Sequence, residues 1–191
     1  MSTARSIDLF DQAQRNIEAG NYAEAFTHCQ EALKSGEFEP GVYFQMGVIL
    51  LKTQRYQDSL VAFQSALRVD PRDSNAYNNM GVALRHMGKF VEAANHHRQA
   101  IMMDPNHAYA HIGLAAVMCE MQQFKQAADE CRIAINIAPD RFQAHFNLGD
   151  ILRLLGDLPG ALASYTRAAQ LAPDNALVRE KLDKLKQAMT A

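Results

Sequence analysis

Pro71, Pro105, Pro139 and Pro173 follow one another at intervals of 34 residues. Three further series keep the same interval. Ala32, Ala66, Ala100, Ala134 and Ala168 form one, and Ala25, Ser59, Ala93, Ala127 and Ala161 a second. The third is Gly47, Gly81, Ala115 and Gly149, with Ala13 as its first member. Four series with one period mark a repeated structural unit. A unit this short cannot bury an apolar face alone, so neighbours must stack on one another.

Each period reads as two helices. In the third, Tyr77, Met80, Gly81 and Leu84 fall at i, i+3, i+4 and i+7, one face of an α-helix. Gly88 stands where that helix should stop. Phe90, Ala93, Ala94, His97, Ala100 and Ile101 repeat the helical spacing, and Asp104-Pro105-Asn106 breaks the chain. Helices approach closely where side chains are small, so Gly81 is expected to face Ala93 across the pair, with Tyr77 and Met80 filling the space beside it. The periods are placed at 6–39, 40–73, 74–107, 108–141 and 142–175. A further helix over 176–189 carries Val178, Leu182, Leu185 and Met189 as one apolar stripe among charged residues. Such a segment caps a stack, with one face for the last repeat and one for water. The expectation is a single all-α domain over 1–191, complete at its C-terminal end.

Charge and cysteine usage narrow the function. Nineteen basic residues face 21 acidic ones, net −2, without the basic excess that phosphate backbones require. Nucleic acid is therefore not an expected partner. No run of apolar residues is long enough for a transmembrane helix, and Met1 to Phe10 lacks a signal-type apolar core. Cys29, Cys119 and Cys131 are odd in number and widely spaced, as in a reducing compartment. The expected location is the cytoplasm.

The repeat motif resembles the tetratricopeptide repeat (TPR) family, whose pattern is an aromatic, Leu-Gly, Tyr, Ala, an aromatic, Ala and Pro at fixed spacing. Period two carries Tyr43, Met46-Gly47, Leu50, Tyr56, Ser59, Phe63, Ala66 and Pro71. Period five carries His145, Leu148-Gly149, Leu152, Leu158, Ala161, Tyr165, Ala168 and Pro173. Period one departs most, with Leu9 for the aromatic and Ser35-Gly36-Glu37-Phe38-Glu39-Pro40 in place of the usual close. The resemblance implies a right-handed superhelical solenoid of five helix-turn-helix repeats plus the capping helix, with the first helices lining a concave face.

No catalytic or metal chemistry stands out. His111 and His145 occupy the place of Tyr43 and Tyr77, and His97 the place of Phe63 and Tyr165, so all three read as packing residues. His96 and His97 are adjacent and point to different faces. Cys29 and Cys131 share the place of Phe63 and read as small core residues. Met102 and Met103 are expected to fill core. No zinc spacing, nucleophile elbow, Walker loop or dinucleotide fingerprint is present. No enzyme activity and no cofactor are expected.

The residues that the core face leaves over are the candidate peptide-binding set. They are Phe44, Gln45 and Val48 in period two, and Asn75, Asn78, Asn79, Val82 and Arg85 in period three. Tyr109 and Ile112 follow in period four, and Phe146, Asn147, Asp150 and Arg153 in period five. Amides donate and accept at once, which suits a peptide backbone, and the apolar members suit its side chains. Gln45, Asn79 and Asn147 hold equivalent places. This resembles the asparagine ladder in the helical-repeat arm of O-linked N-acetylglucosamine transferases, and implies a similar hold on a peptide. The family's clamp for chaperone C-terminal carboxylates needs cationic pairs at places held here by residues such as Phe44 and Val48, so chaperone tails are not expected ligands. The reading is a protein-interaction module or scaffold holding a partner's peptide segment. The alternative is a self-assembling homo-oligomer docked through Phe10 and Phe38.

Overall fold

The computed structural model of the chain describes residues 3–34 and 41–190. These residues form eleven helices. In chain order they are α1 (Thr3–Glu18), α2 (Tyr22–Lys34), α3 (Gly41–Lys52), α4 (Tyr56–Val69), α5 (Ser74–His86), α6 (Phe90–Met103), α7 (Ala108–Glu120), α8 (Phe124–Ile137), α9 (Phe142–Leu154), α10 (Leu158–Leu171) and α11 (Ala176–Thr190). The close of period one, with Phe38 and Pro40, lies outside the described residues. The helices gather into two compact units, Met1–Lys89 and Phe90–Ala191. In the first, α1 packs on α2, α2 on α3, α3 on α4 and α4 on α5. In the second, contacts run in the same sequential way from α6 to α9, α9 packs on α10, and α10 on α11.

One turn recurs inside every period. Residues 20, 54, 88, 122 and 156 all have positive φ, between 59° and 82°. Three are glycine, which enters that region freely, and two are Gln54 and Gln122. The next N–H in each case reaches back to the helix it leaves: Arg55 N–H to the Leu50 carbonyl at 2.8 Å, Lys89 to Leu84 at 3.0 Å, Gln123 to Met118 at 2.8 Å. These are Schellman closures, which satisfy carbonyls that a helix end would otherwise leave open. Between periods the prolines act. Asp70, before Pro71, is extended at φ −121°, as the residue preceding a proline must be. Asp73 then caps α5 by accepting from the Asn75 and Ala76 N–H groups.

Packing inside the helix pairs α3/α4 and α9/α10 follows a ring-and-hole rule. A Cβ on Gly47 would stand 2.5 Å from the Phe63 ring, and one on Gly149 2.7 Å from the Tyr165 ring. Both rings are fully buried. The glycine thus meets the aromatic of the second helix. Where the second helix carries a cysteine, the hole closes by one methyl. Ala13 accompanies Cys29 in one buried cluster, and Ala115 and Cys131 are both fully buried in the matching places. Deep burial and high packing density make such one-carbon matching necessary.

Two apolar assignments change. Met102 is 73% exposed and does not fill core. On α11, Val178, Leu182 and Leu185 are buried as a capping stripe requires, but Met189 lies 41% exposed. It sits one residue before the end of the helix.

Candidate partner-binding face

Within each unit the first helices of successive periods touch: α1 with α3, α3 with α5, and α7 with α9. Equivalent places on them therefore stand side by side. In the first unit, Phe44 is half-buried, its ring set edge-on to Phe63 at 5.7 Å. Val48, Val82, Asn79 and Arg85 are half-buried too, and Asn75 is exposed. Beyond Arg85, the His86 ring stacks on Tyr56 at 5.0 Å. Its pKa is lowered by burial and then by the Arg85 charge.

Gln45 and Asn78 are buried instead. Gln45 ties helices together: its Nε2 donates to Gln14 Oε1 at 3.1 Å and to the Phe10 carbonyl at 3.5 Å. The Cys29 thiol lies 3.7 Å from its Oε1. A buried amide must find partners or lose its hydration uncompensated, and Gln45 finds them inside the unit. Phe10 is taken up as well, its ring filling the space against Gly41. Of the two phenylalanines suggested for self-docking, Phe10 is thus engaged in its own unit, and Phe38 lies outside the described residues.

In the second unit Phe146 repeats the arrangement of Phe44, half-buried with its centroid 5.8 Å from that of Tyr165. Asn147 is half-buried and Arg153 exposed. Ile112 is 9% exposed and serves as floor. Tyr109 is exposed but engaged: the Arg141 guanidinium lies 4.8 Å over its ring and donates to its hydroxyl at 2.6 Å. Asp150 accepts from the Tyr165 hydroxyl at 2.6 Å and from Lys181 Nζ at 2.8 Å. Burial, reinforced by the Asp150 charge, raises the Tyr165 phenol above its ordinary value, so it stays a proton donor.

His97 packs fully buried against Gly113, whereas His111 and His145 do more than pack. The buried His111 ring places Nδ1 2.6 Å from Glu130 Oε2 and Nε2 3.2 Å from the Pro105 carbonyl. Both neighbours accept, so the ring satisfies them together only as an imidazolium. Its pKa is raised chiefly by the Glu130 bond, against the opposing effect of burial. His145 repeats the carbonyl contact, with Pro139 at 3.0 Å. His107 Nδ1 caps α7 by accepting from the Ala110 N–H. Burial pushes the Cys29 and Cys131 thiols up to about 12 and raises Cys119, which removes nucleophilic thiolate. Among the described residues, no group of three or more His, Cys, Asp or Glu could hold a metal ion. No helix among them is long and apolar enough to cross a membrane.

Lys181 and Lys184 of α11 join this face, although the sequence presented them as the wet side of a cap. Continuing the 34-residue period would have found them, since they hold the places of Asn147 and Asp150.

Tetratricopeptide repeat models match residues 40–73, 62–94, 84–148 and 142–175. The chain belongs to the tetratricopeptide repeat family. Two of the matched ranges, 40–73 and 142–175, coincide with periods two and five. No curated protein sequence matches the chain. Among solved structures, a thermophilic TPR protein of Thermus thermophilus superposes with a TM-score of 0.79 at 20% identity, over 95% of this chain and 99% of that one. YrrB, described as a TPR protein with an unusual peptide-binding site, gives 0.66 at 16% identity, over 92% and 90%. The first TPR of Spaghetti (RPAP3), bound to an HSP90 peptide, gives 0.60 at 22% identity, over 62% and 96%. At these identities the likeness is one of fold.

Proposed function

We propose that this TPR protein is a protein-interaction module that holds a segment of a partner along its first helices. One observation carries the reading: the same places on these helices repeatedly present half-buried side chains that mix apolar and amide groups. Phe44, Val48, Val82 and Phe146 offer apolar contact, and Asn79 and Asn147 offer paired donors and acceptors. Gln45 and Asn78 lie buried among these residues in the first unit, and Ile112 does so in the second. The peptide-binding site of YrrB and the peptide bound by the Spaghetti domain support it by fold analogy alone.

The test is affinity capture from native lysate, with wild type beside the Asn79→Ala/Asn147→Ala variant and both checked for helicity by circular dichroism. Loss of a captured protein only with the variant is the expected result. Identical capture by both would remove these amides from the interaction.

A further inference from the structure

At the C-terminal end of the second unit, a cavity of about 500 Å3 opens between α9, α10 and α11. Arg153, Lys181 and Lys184 line it together with Leu158, Leu185 and Ala188. Three cations meet an apolar wall. We infer that this cavity takes an acidic peptide segment, seating one apolar side chain on Leu158, Leu185 and Ala188 while side-chain carboxylates meet Arg153 and Lys184. This rests on the proposed reading of the first-helix face and extends it onto α11.

The charge count decides the class of ligand. Asp150 is already matched by Lys181 at 2.8 Å and by the Tyr165 hydroxyl at 2.6 Å. Lys184 pairs with Glu180, one turn back on the same exposed helix. Surface pairs of that kind hold weakly and exchange readily for a better-placed carboxylate. Arg153 is exposed at the mouth, and its guanidinium can take a carboxylate through two parallel bonds. The lining itself holds three cations and no carboxylate, and Asp150 and Glu180 offset two of those cations from outside it. The place differs from the chaperone-tail clamp, whose cationic positions on the earlier first helices are missing here.

The probe is a fluorescein-labelled dodecapeptide with an amidated C-terminus, bearing one leucine flanked by glutamates. Its partner probe carries glutamines instead. Fluorescence anisotropy with the full chain should show the glutamate probe binding, and the glutamine probe binding roughly tenfold more weakly or not at all. Binding should weaken as salt rises from about 0.05 to 0.5 M. Arg153→Glu/Lys184→Glu should abolish it, and the neutral Lys184→Gln should reduce it in part, with thermal melts unchanged. Equal affinity for both probes would overturn the acidic class while leaving the first-helix reading intact. Binding unaffected by the charge reversal would overturn the cavity as the site. A glutamine probe that binds only with a free C-terminus would assign the cations to a terminal carboxylate and overturn the side-chain assignment. If neither probe binds, the inference fails, and the amide variant in lysate capture still judges the first-helix reading independently.

Discussion

The unit over 1–89 and the unit over 90–191 are built on one period, yet they fasten their helices differently. In the first, the buried tie is a neutral amide, Gln45, bonded to Gln14 and the Phe10 carbonyl. In the second, the ties carry charge: His111 with Glu130, and Asp150 with Lys181. The apolar packing is common to both, with Phe63 over Gly47 and Tyr165 over Gly149. The comparison teaches that the period dictates which places are small, which are large and where the chain turns. It leaves open how the remaining polar places are satisfied. Amide ties are indifferent to pH and salt, whereas ionised ties answer to both.

The common part should break hardest. Phe63→Ala and Tyr165→Ala should each cost about 3–5 kcal/mol, because each empties a fully buried ring site. Gly47→Ala and Gly149→Ala should cost roughly 1–3 kcal/mol through overpacking. Urea titration of Gly47→Ala/Phe63→Cys, which recreates the Ala13 and Cys29 combination, should show less than the sum of its two single costs. Additive costs would mean that ring and hole do not read each other.

The next effect separates the units. Glu130→Gln should cost roughly 1.5–3 kcal/mol, the range for a hydrogen bond to a charged group. The sign with pH follows from the raised pKa of folded His111. Its contribution is present in full below the unfolded value of 6.5 and is lost as pH rises through the raised folded value. Denaturation of the wild type should therefore show a destabilisation above pH 6.5 that Glu130→Gln reduces, and the His111 imidazole titration, followed by NMR, should move down in that variant. A His111 that titrates at or below its ordinary value in the wild type would remove the imidazolium.

The smallest effect sharpens the contrast. Lys181→Met should cost about 0.5–1 kcal/mol at low salt and less at high salt, since the pair is partly exposed. Gln45→Met should cost about 1 kcal/mol, with little change on adding salt. Equal salt responses would erase the distinction between the two units.

Much of the candidate face was legible before any coordinates. The period located Phe44, Val48, Asn79, Val82, Phe146 and Asn147 on first helices, and all are half-buried there. It did not tell floor from surface. Gln45, Asn78 and Ile112 fall in the same series, yet they are buried, because burial depends on how neighbouring helices close over a place. Nor did spacing show that Tyr109 is engaged by Arg141, which lies in the turn before α9 and far along the chain.

The sequence by itself determined the helix pairs, the turns and the alternation of large and small residues. Those are local consequences of residue type: proline excludes helix at the residue before it, glycine admits positive φ, and apolar groups recur at 3.6-residue spacing. Only the tertiary structure decided that Gly47 receives the Phe63 ring. It likewise decided that His111 bridges a carboxylate and a carbonyl, and that Lys181 and Lys184 border a cavity with Arg153. Each of these joins residues from different helices, where distance and desolvation set the energy, and neither can be read from one helix alone.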